Sequence, residues 1–195
     1  MTDLLVLLDG NALMHRAFHA VPRLTSPRGE LVNATYGFTS MLLKALGEYR
    51  PRYAAAAFDT AAPTFRDRAY AEYKAHRGPS PEGLHEQFRR VRQILEAFHI
   101  PVVAVEGYEA DDVLGTLTAQ ATERGLDVLL VTADTDVLQL VGPHVRVLAT
   151  RRGLSDTVLY DEATVRQRFG LSPSQLVDFK ALRGDPTDNV PSVPG

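Results

Sequence analysis

A chain of 195 residues, 45% of them hydrophobic and none of them cysteine, is long enough to bury a core without staples. The missing thiols exclude disulfides, thiolate catalysis and cysteine-ligated zinc. No run approaches the roughly 18 consecutive apolar residues of a membrane span, and the N-terminus lacks the basic, apolar, small-residue order of a secretory signal, so no membrane partner and a cytoplasmic location are expected. The net charge of −3 argues against a nucleic-acid partner until it is divided, because setting aside nine acids that fall between predicted elements leaves the rest of the chain at +6.

Leu4 to Leu8 is an all-apolar run ended by Asp9-Gly10, the pattern of a parallel strand covered on both faces. A helical stretch follows at Ala34 to Glu48, and Tyr53 to Phe58 predicts a second strand that stops at Asp59. The segment Thr60 to Pro81 breaks this alternation. It is rich in Arg, Tyr, Ala and Pro and far longer than the handful of residues that usually joins a strand to a helix, as functional connections often are. A helix over Glu82 to Phe98, a strand over Pro101 to Val105, a helix over Ala110 to Arg124 and strands at Asp127 to Thr132 and Val145 to Ala149 follow. Gly153 marks a turn that returns Thr157 to Tyr160 to the sheet edge, and Asp161 and Ser172 are N-caps for two closing helices. Strands alternating with helices predict an α/β fold, a mostly parallel central sheet with helices on both faces.

The acids sit where such a sheet binds ligands, outside the carboxyl ends of its strands. Asp9 and Asp59 follow strands one and two. Glu109, Asp111 and Asp112 open the helix after strand three, Asp134 and Asp136 follow strand four, and Asp185 and Asp188 lie in a Gly-Asp-Pro-Thr-Asp-Asn loop. Each piece alone has a structural explanation, since acids favour a first helical turn and Asp is a common turn residue. Together they are harder to explain that way, because unit charges about 4 Å apart repel by roughly 4 kcal/mol at an effective dielectric near 20. Sequence neighbours offer no relief: there is no Lys, Arg or His between Glu106 and Glu123, or from Gly125 to Pro143. A divalent cation is the expected counterion, and all-oxygen ligation points to Mg²⁺ or Mn²⁺. So many carboxylates exceed the needs of one octahedral ion, so two ions are expected, an arrangement suited to in-line attack on a phosphodiester.

From Arg66 to Arg92 seven Lys or Arg face four acids, interleaved with Phe65, Tyr70, Tyr73 and Phe88, a mixture suited to single-stranded nucleic acid. Arg89, Arg90 and Arg92 read as the wet face of a helix whose Phe88, Val91, Ile94 and Leu95 face the core. Arg66, Tyr73, Lys74 and Arg77 lie in the irregular stretch and read as phosphate contacts.

These residues resemble the 5′-nuclease domain at the N-terminus of bacterial DNA polymerase I and in related flap endonucleases. The matching stretches are Leu-Asp-Gly at 8–10, Ala-Phe-His-Ala at 17–20, Thr-Tyr-Gly-Phe at 35–38, Ala-Phe-Asp at 57–59, Phe-Arg at 65–66 and Tyr-Lys at 73–74. Further on come Gly-Tyr-Glu-Ala-Asp-Asp-Val at 107–113, Thr-Ala-Asp at 132–134 and Asp-Asn-Val-Pro at 188–191, so the likeness runs in order through essentially the whole chain. The resemblance implies a PIN-like, resolvase-like nuclease fold with a helical arch, and 5′→3′ exonuclease and flap-endonuclease hydrolysis of DNA bearing a 5′ single-stranded end or flap, as in primer removal and repair. A polymerase domain or protein is a further implied partner. Asp9, Asp59, Glu109, Asp111 and Asp112 match the family's first metal group, and Asp134, Asp136, Asp185 and Asp188 its second. Tyr73, Lys74 and Arg77 match positions that engage the scissile phosphate, Arg66 a further basic arch position, and Arg16 is placed with them as a substrate contact. Lys74, Arg77 and Asp111 are the expected catalytic residues. Three positions depart from the pattern: His15 where many relatives have tyrosine, Thr135 in place of a common lysine, and Ser192 in place of a frequent glycine.

A PIN-like ribonuclease would share the acidic pit but not the long basic insertion, and a haloacid-dehalogenase phosphatase would want an aspartate where Asn11 stands. A receiver domain would be shorter with fewer acids, and a DNA-binding remnant would keep the ligands without turnover. The resemblance also implies a division into residues 1–183, the nuclease domain with its arch at about 60–81, and 184–195, a metal-site loop leading into a helix-hairpin-helix element that follows a motif like Val193 to Gly195. Without that element, duplex affinity and structure selectivity should be poor and few phosphate contacts should remain. The slope of log affinity against log salt should therefore be shallower than for a chain extended through the element, and equal slopes would refute the expectation.

Overall fold

A computed structural model describes residues 2–151 and 153–194. Six strands form one sheet: β1 (Leu4–Asp9), β2 (Tyr53–Ala57), β3 (Val102–Val103), β4 (Asp127–Thr132), β5 (Val145–Thr150) and β6 (Thr157–Tyr160). Their order is β3-β2-β1-β4-β5-β6, parallel except for β6, which runs antiparallel to β5 with Leu148 opposite Leu159. The sheet is thus as expected, although strand three shrinks from five residues to two. The Val-Pro-Gly motif at 193–195 ends outside the described residues.

Period-two alternation along β1 feeds two cores on opposite faces. Val6 and Leu8 pack with Leu13, Met14, Phe38, Leu42, Val91 and Leu95, which come from α1 (Gly10–Ala20), α2 (Asn33–Tyr49) and α4 (Leu84–Ala97). Leu7 packs on the other side with Val113, Leu114 and Ala121 of α5 (Ala110–Glu123), Val165 of α6 (Glu162–Phe169) and Leu176, which opens α7 (Leu176–Arg183). Helix α1 was not among the expected elements. Its buried Gly10, Leu13, Met14 and Ala17 do follow helical spacing, but they begin directly at the strand end with no loop between. The expected caps are present: Asp161 accepts from the Thr164 amide at 2.8 Å, and Ser172 forms a capping box with Gln175 before the short 3-10 turn Pro173–Gln175. The insertion after β2 contains one short helix, α3 (Phe65–Ala69), capped reciprocally by Thr64 and Asp67, and is otherwise turns and irregular chain.

Two glycines hold acids in place. A side chain at Gly10 would start 2.3 Å from the ring of Phe58, so only glycine lets α1 begin directly after Asp9. Gly184 has φ of +72°, and a Cβ there would lie 2.5 Å from the backbone of Pro191 and Ser192, so it sets the turn that presents Asp185.

Buried Gln87 joins three helices. Its Oε1 accepts from the amides of Ala34 at 2.7 Å and Thr35 at 3.0 Å, the first turn of a helix whose preceding residue, Val32, offers no side-chain cap. Its Nε2 donates to Asn33 and to the carbonyl of Gly83, and Asn33 reaches back to the carbonyls of Phe18 and Val21. Gln87→Leu keeps the volume but orphans both amides, and should lower stability by about 1–3 kcal/mol per lost partner in denaturant unfolding. An unchanged midpoint would show that this helix start is solvated.

Candidate active site

The topology reverses between β1 and β4, and a crevice of about 1180 Å³ opens at their carboxyl ends. Eight of the nine expected acids line it: Asp9, Asp59, Glu109, Asp111, Asp134, Asp136, Asp185 and Asp188. Asp112 does not. One position on from Asp111, about 100° around α5, it receives both arms of Arg66 at 2.7 and 2.9 Å and caps the amide of Glu109 at 3.0 Å. Arg16 is displaced in the same way. Asn11, His15 and His19 face the crevice at spacing i, i+4, i+8, and Arg16 lies one position around α1, outside the lining.

Each carboxylate is held by a particular donor set. Asp9 is buried at the end of β1 and accepts from the Ala12 amide at 3.0 Å and from Thr132 Oγ1 at 2.6 Å, so β4 orients it across the strand pair. Asp59 accepts from Asn11 Nδ2 at 2.8 Å and from the Ala110 amide at 2.6 Å, at the positive end of α5. Asp134 takes the Asp136 amide at 2.9 Å.

Sequence neighbours of the acids at 109–112 and 134–136 offer no cation, as read, but the fold brings cations to some of these charges from elsewhere in the chain. Lys74 Nζ lies 2.7 Å from Glu109, Arg77 Nη2 lies 2.5 Å from Asp188, and Lys180 bridges Asp136 to Asp185, the latter at 2.9 Å. Except for Lys180 with Asp185, five residues on, these pairings join elements distant in sequence, which a scan of neighbouring residues does not reach. Tyr73 adds its hydroxyl, 3.0 Å from Glu109 and 3.1 Å from Asp188. Burial and the two carboxylates around it raise its pKa, so it remains a donor. Asp185 is pushed up by burial, but Thr187 and Lys180 outweigh this and hold it down at about 2. Among the described residues, no three of these side chains converge as a ready-made ion cage.

Four acids are left over. Among the described residues Asp9, Asp59, Asp111 and Asp134 have no cation within ion-pair distance, and Asp111 has no hydrogen-bond donor either. Burial first, then repulsion from Asp9, Asp134, Asp136 and Glu109, raises the Asp111 pKa. Burial likewise raises Asp9, against the bonds from Thr132 and Ala12. The charge on Glu109, Asp136, Asp185 and Asp188 is therefore offset by cations, and that on Asp9, Asp59, Asp111 and Asp134 is not.

Sequence reasoning did not single out Lys180, Thr132 or Asn11. Lys180 had one signal, a lysine in the last turn of the helix that runs into Gly184-Asp185. It also places a positive charge beside Asp136, where Thr135 does not. His15 sits at the crevice edge-on to Phe88 with ring centroids 6.2 Å apart, and desolvation, then His19 and Arg77, lower its pKa, so it is held neutral. Arg89 and Arg92 are exposed as expected and Arg90 is half-buried; Arg89 and Arg90 pair with Glu86 and Glu30, and Arg92 stands 5.0 Å over the ring of Phe58.

An acid crowded by other acids with no partner destabilises the fold that holds it. Asp111→Asn should therefore raise the stability of the protein in chelator by about 1 kcal/mol, or roughly 2–4 °C in melting temperature. A lower melting temperature would mean that Asp111 has a stabilising partner.

Residues 4–170 match the family described as 5′-3′ exonuclease, N-terminal resolvase-like domain. The chain is 53% identical over 197 residues to DNA polymerase I of Chloroflexus aurantiacus, covering 98% of this chain and 21% of that protein. It is 46% identical over 195 residues to the Bacillus caldotenax DNA polymerase I, covering 100% and 22%. It thus spans about a fifth of the length of the curated relatives it matches. Among solved structures, a bacteriophage T5 protein co-crystallised with metal ions superposes with a TM-score of 0.77 at 21% identity, over 98% of this chain and 70% of that one. The T5 flap endonuclease in complex with DNA and metal ions gives a TM-score of 0.74 at 21% identity, with the same coverage. At such identities these two show a shared fold. No helix among the described residues is long and apolar enough to cross a membrane. On the family match and the identity to its relatives, the chain belongs to the 5′-3′ exonuclease N-terminal resolvase-like domain family of nucleases.

Proposed function

We propose that the chain is a divalent-cation-dependent nuclease domain that hydrolyses DNA phosphodiesters from a 5′ single-stranded end or flap, by a two-ion mechanism, as the 5′-nuclease part of a DNA polymerase I. The observation that carries this reading is that Asp9, Asp59, Asp111 and Asp134, the crevice acids without a cation partner among the described residues, share one crevice with Lys74 and Arg77 of the insertion. A hard cation fits the donor set, since the acids on offer all present oxygen and Asp111 has neither donor nor cation on it. Asp9, Asp59, Asp111 and Asp134 would hold it first. Glu109, Asp136, Asp185 and Asp188 form the second set, already engaged by lysine, arginine or tyrosine. Mg²⁺ or Mn²⁺ bound there supplies activated water near neutral pH and draws charge from the phosphodiester.

The chain's own residues do the rest. Lys74 brings a compact charge and Arg77 a fork matched to paired phosphate oxygens, so the insertion can bind the backbone of a strand lying over the acids. Tyr73 supplies a ring beside them on which a base can stack. Thr132 and the Ala12 amide fix Asp9, Asn11 and the Ala110 amide fix Asp59, and Lys180 fixes Asp136 and Asp185, so the ligand oxygens need little reordering when charge develops on the substrate. The names of the relatives support DNA as substrate and a polymerase as partner.

A 5′-labelled flap substrate should be cut in Mg²⁺ and left intact in EDTA, and Asp111→Asn should lower the rate by about a hundredfold or more, the scale of losing one preorganised electrostatic group. Cleavage in EDTA, or cleavage that survives Asp111→Asn, would overturn the ligand assignment. Binding of DNA without cleavage would leave a DNA-binding module in its place.

A further inference from the structure

The insertion between β2 and α4 is fastened to the acids it overlooks. The Lys74 amide donates to the Asp188 carbonyl at 2.9 Å, and Asn189 Nδ2 donates to the Glu72 carbonyl at 2.8 Å. Around these backbone ties, the side chains of Tyr73, Lys74 and Arg77 engage Glu109 and Asp188. Lys74 itself has φ of +53°, a region that lysine seldom adopts. The fastened segment is also a partition. On one side is the crevice of about 1180 Å³, and on the other a second cavity of about 620 Å³ bordered by Phe65, Arg66, Tyr73 and Tyr108. Both have Glu109, Asp111, Asp136 and Asp188 in their walls.

We propose that this docking is a latch operated by the divalent cation: Glu109 and Asp188 are held by Tyr73, Lys74 and Arg77 in the ion-free protein, and uptake of the cation by the acidic cluster releases the segment. Release joins the two cavities beneath it and frees Lys74 and Arg77 to meet phosphate. The inference rests on the reading above, that these acids take up a divalent cation. Its logic is competition. A carboxylate cannot give its full charge to an ammonium and to a dication at once, and a dication placed among the acids repels the lysine and arginine resting on them. Two cations drawn to one set of acids must weaken each other's hold by the same factor, so metal uptake and segment docking are reciprocally linked. The unfavourable backbone of Lys74 fits this, because it persists only while those contacts hold it.

The test is amide hydrogen exchange over residues 70–78 of the unaltered protein, with Mg²⁺ alone and no DNA, beside calorimetric titration of the same ion. Exchange should accelerate about fivefold or more on saturation, a typical coupling between linked sites, and most at the Lys74 amide. The double variant Lys74→Gln, Arg77→Gln should exchange fast without Mg²⁺ and bind the ion about fivefold or more tightly. Arg183→Gln removes a cation that lines the same crevice but pairs with no acid among the described residues, and should change the affinity by less than about twofold because solvent screens it. Mg²⁺ binding with unchanged or slower exchange would overturn the latch alone, as would equal gains in affinity from Arg183→Gln and the double variant. No binding of Mg²⁺ at all would overturn both the latch and the reading beneath it.

Discussion

Repulsion among carboxylates is the constraint around which this molecule is organised. The parallel sheet aims the ends of β1 and β4 at one place, and the sequence puts an acid at or just past each end. Helix α5 then adds Asp111 from its first turn, where the helix dipole favours negative charge but does not cancel it. A fold that concentrates charge in this way must supply compensation. The structure supplies it in layers: neutral donors for Asp9 and Asp59, cations for Glu109, Asp136, Asp185 and Asp188, and nothing for the carboxylate of Asp111.

That layering separates stability from function. Neutral donors such as Thr132 and the Ala110 amide hold a carboxylate in one orientation while leaving its charge in place. Cations neutralise charge, and in doing so make the carboxylate less able to serve a ligand. A site made only of the first kind would be costly to fold, and one made only of the second would be inert. Asp9, Asp59 and Asp134 have partners of the first kind, Glu109, Asp136, Asp185 and Asp188 of the second and Asp111 of neither, so the electrostatic cost is concentrated on acids that a ligand would relieve.

How much of this could be read from the residues depended on how local the physics was. The buried strands Leu4–Asp9 and Asp127–Thr132 stood out because runs of five and four consecutive apolar residues beside acids have few other homes. The caps at Asp161 and Ser172 were legible for the same reason, being contacts across three residues. Helix α1 escaped notice because it follows β1 without a loop, a junction that depends on Phe58 lying over Gly10, 48 residues away. The same limit applies at the site. Positions of the acids along the chain placed eight of nine in the crevice, yet apart from Lys180 beside Asp185 the cations that hold them lie 35, 44 and 111 residues away, a separation that no inspection of neighbours can bridge. Asp112 and Arg16 fell outside for a helical reason: adjacent residues on a helix point about 100° apart, which turns Asp112 away from the direction of Asp111 and Arg16 away from that of His15.

The insertion joins these themes, because its two ends are anchored differently from its middle. Its first end is set by Asp59 after β2 and by the Phe65 amide bonded to the Gly107 carbonyl, and its second by Gln87 in α4, which is locked to Asn33 and the start of α2. None of these anchoring contacts is an ion pair, although the first includes the carboxylate of Asp59. The middle is held chiefly through Glu109 and the 185–190 loop, so its position depends on what else those acids bind. Ends that stay fixed while the middle responds to charge give a segment that can lift and return without unfolding. That division follows from which contacts are ionic and which are not, and it locates the mobile part of the site in about ten residues around Tyr73 to Arg77.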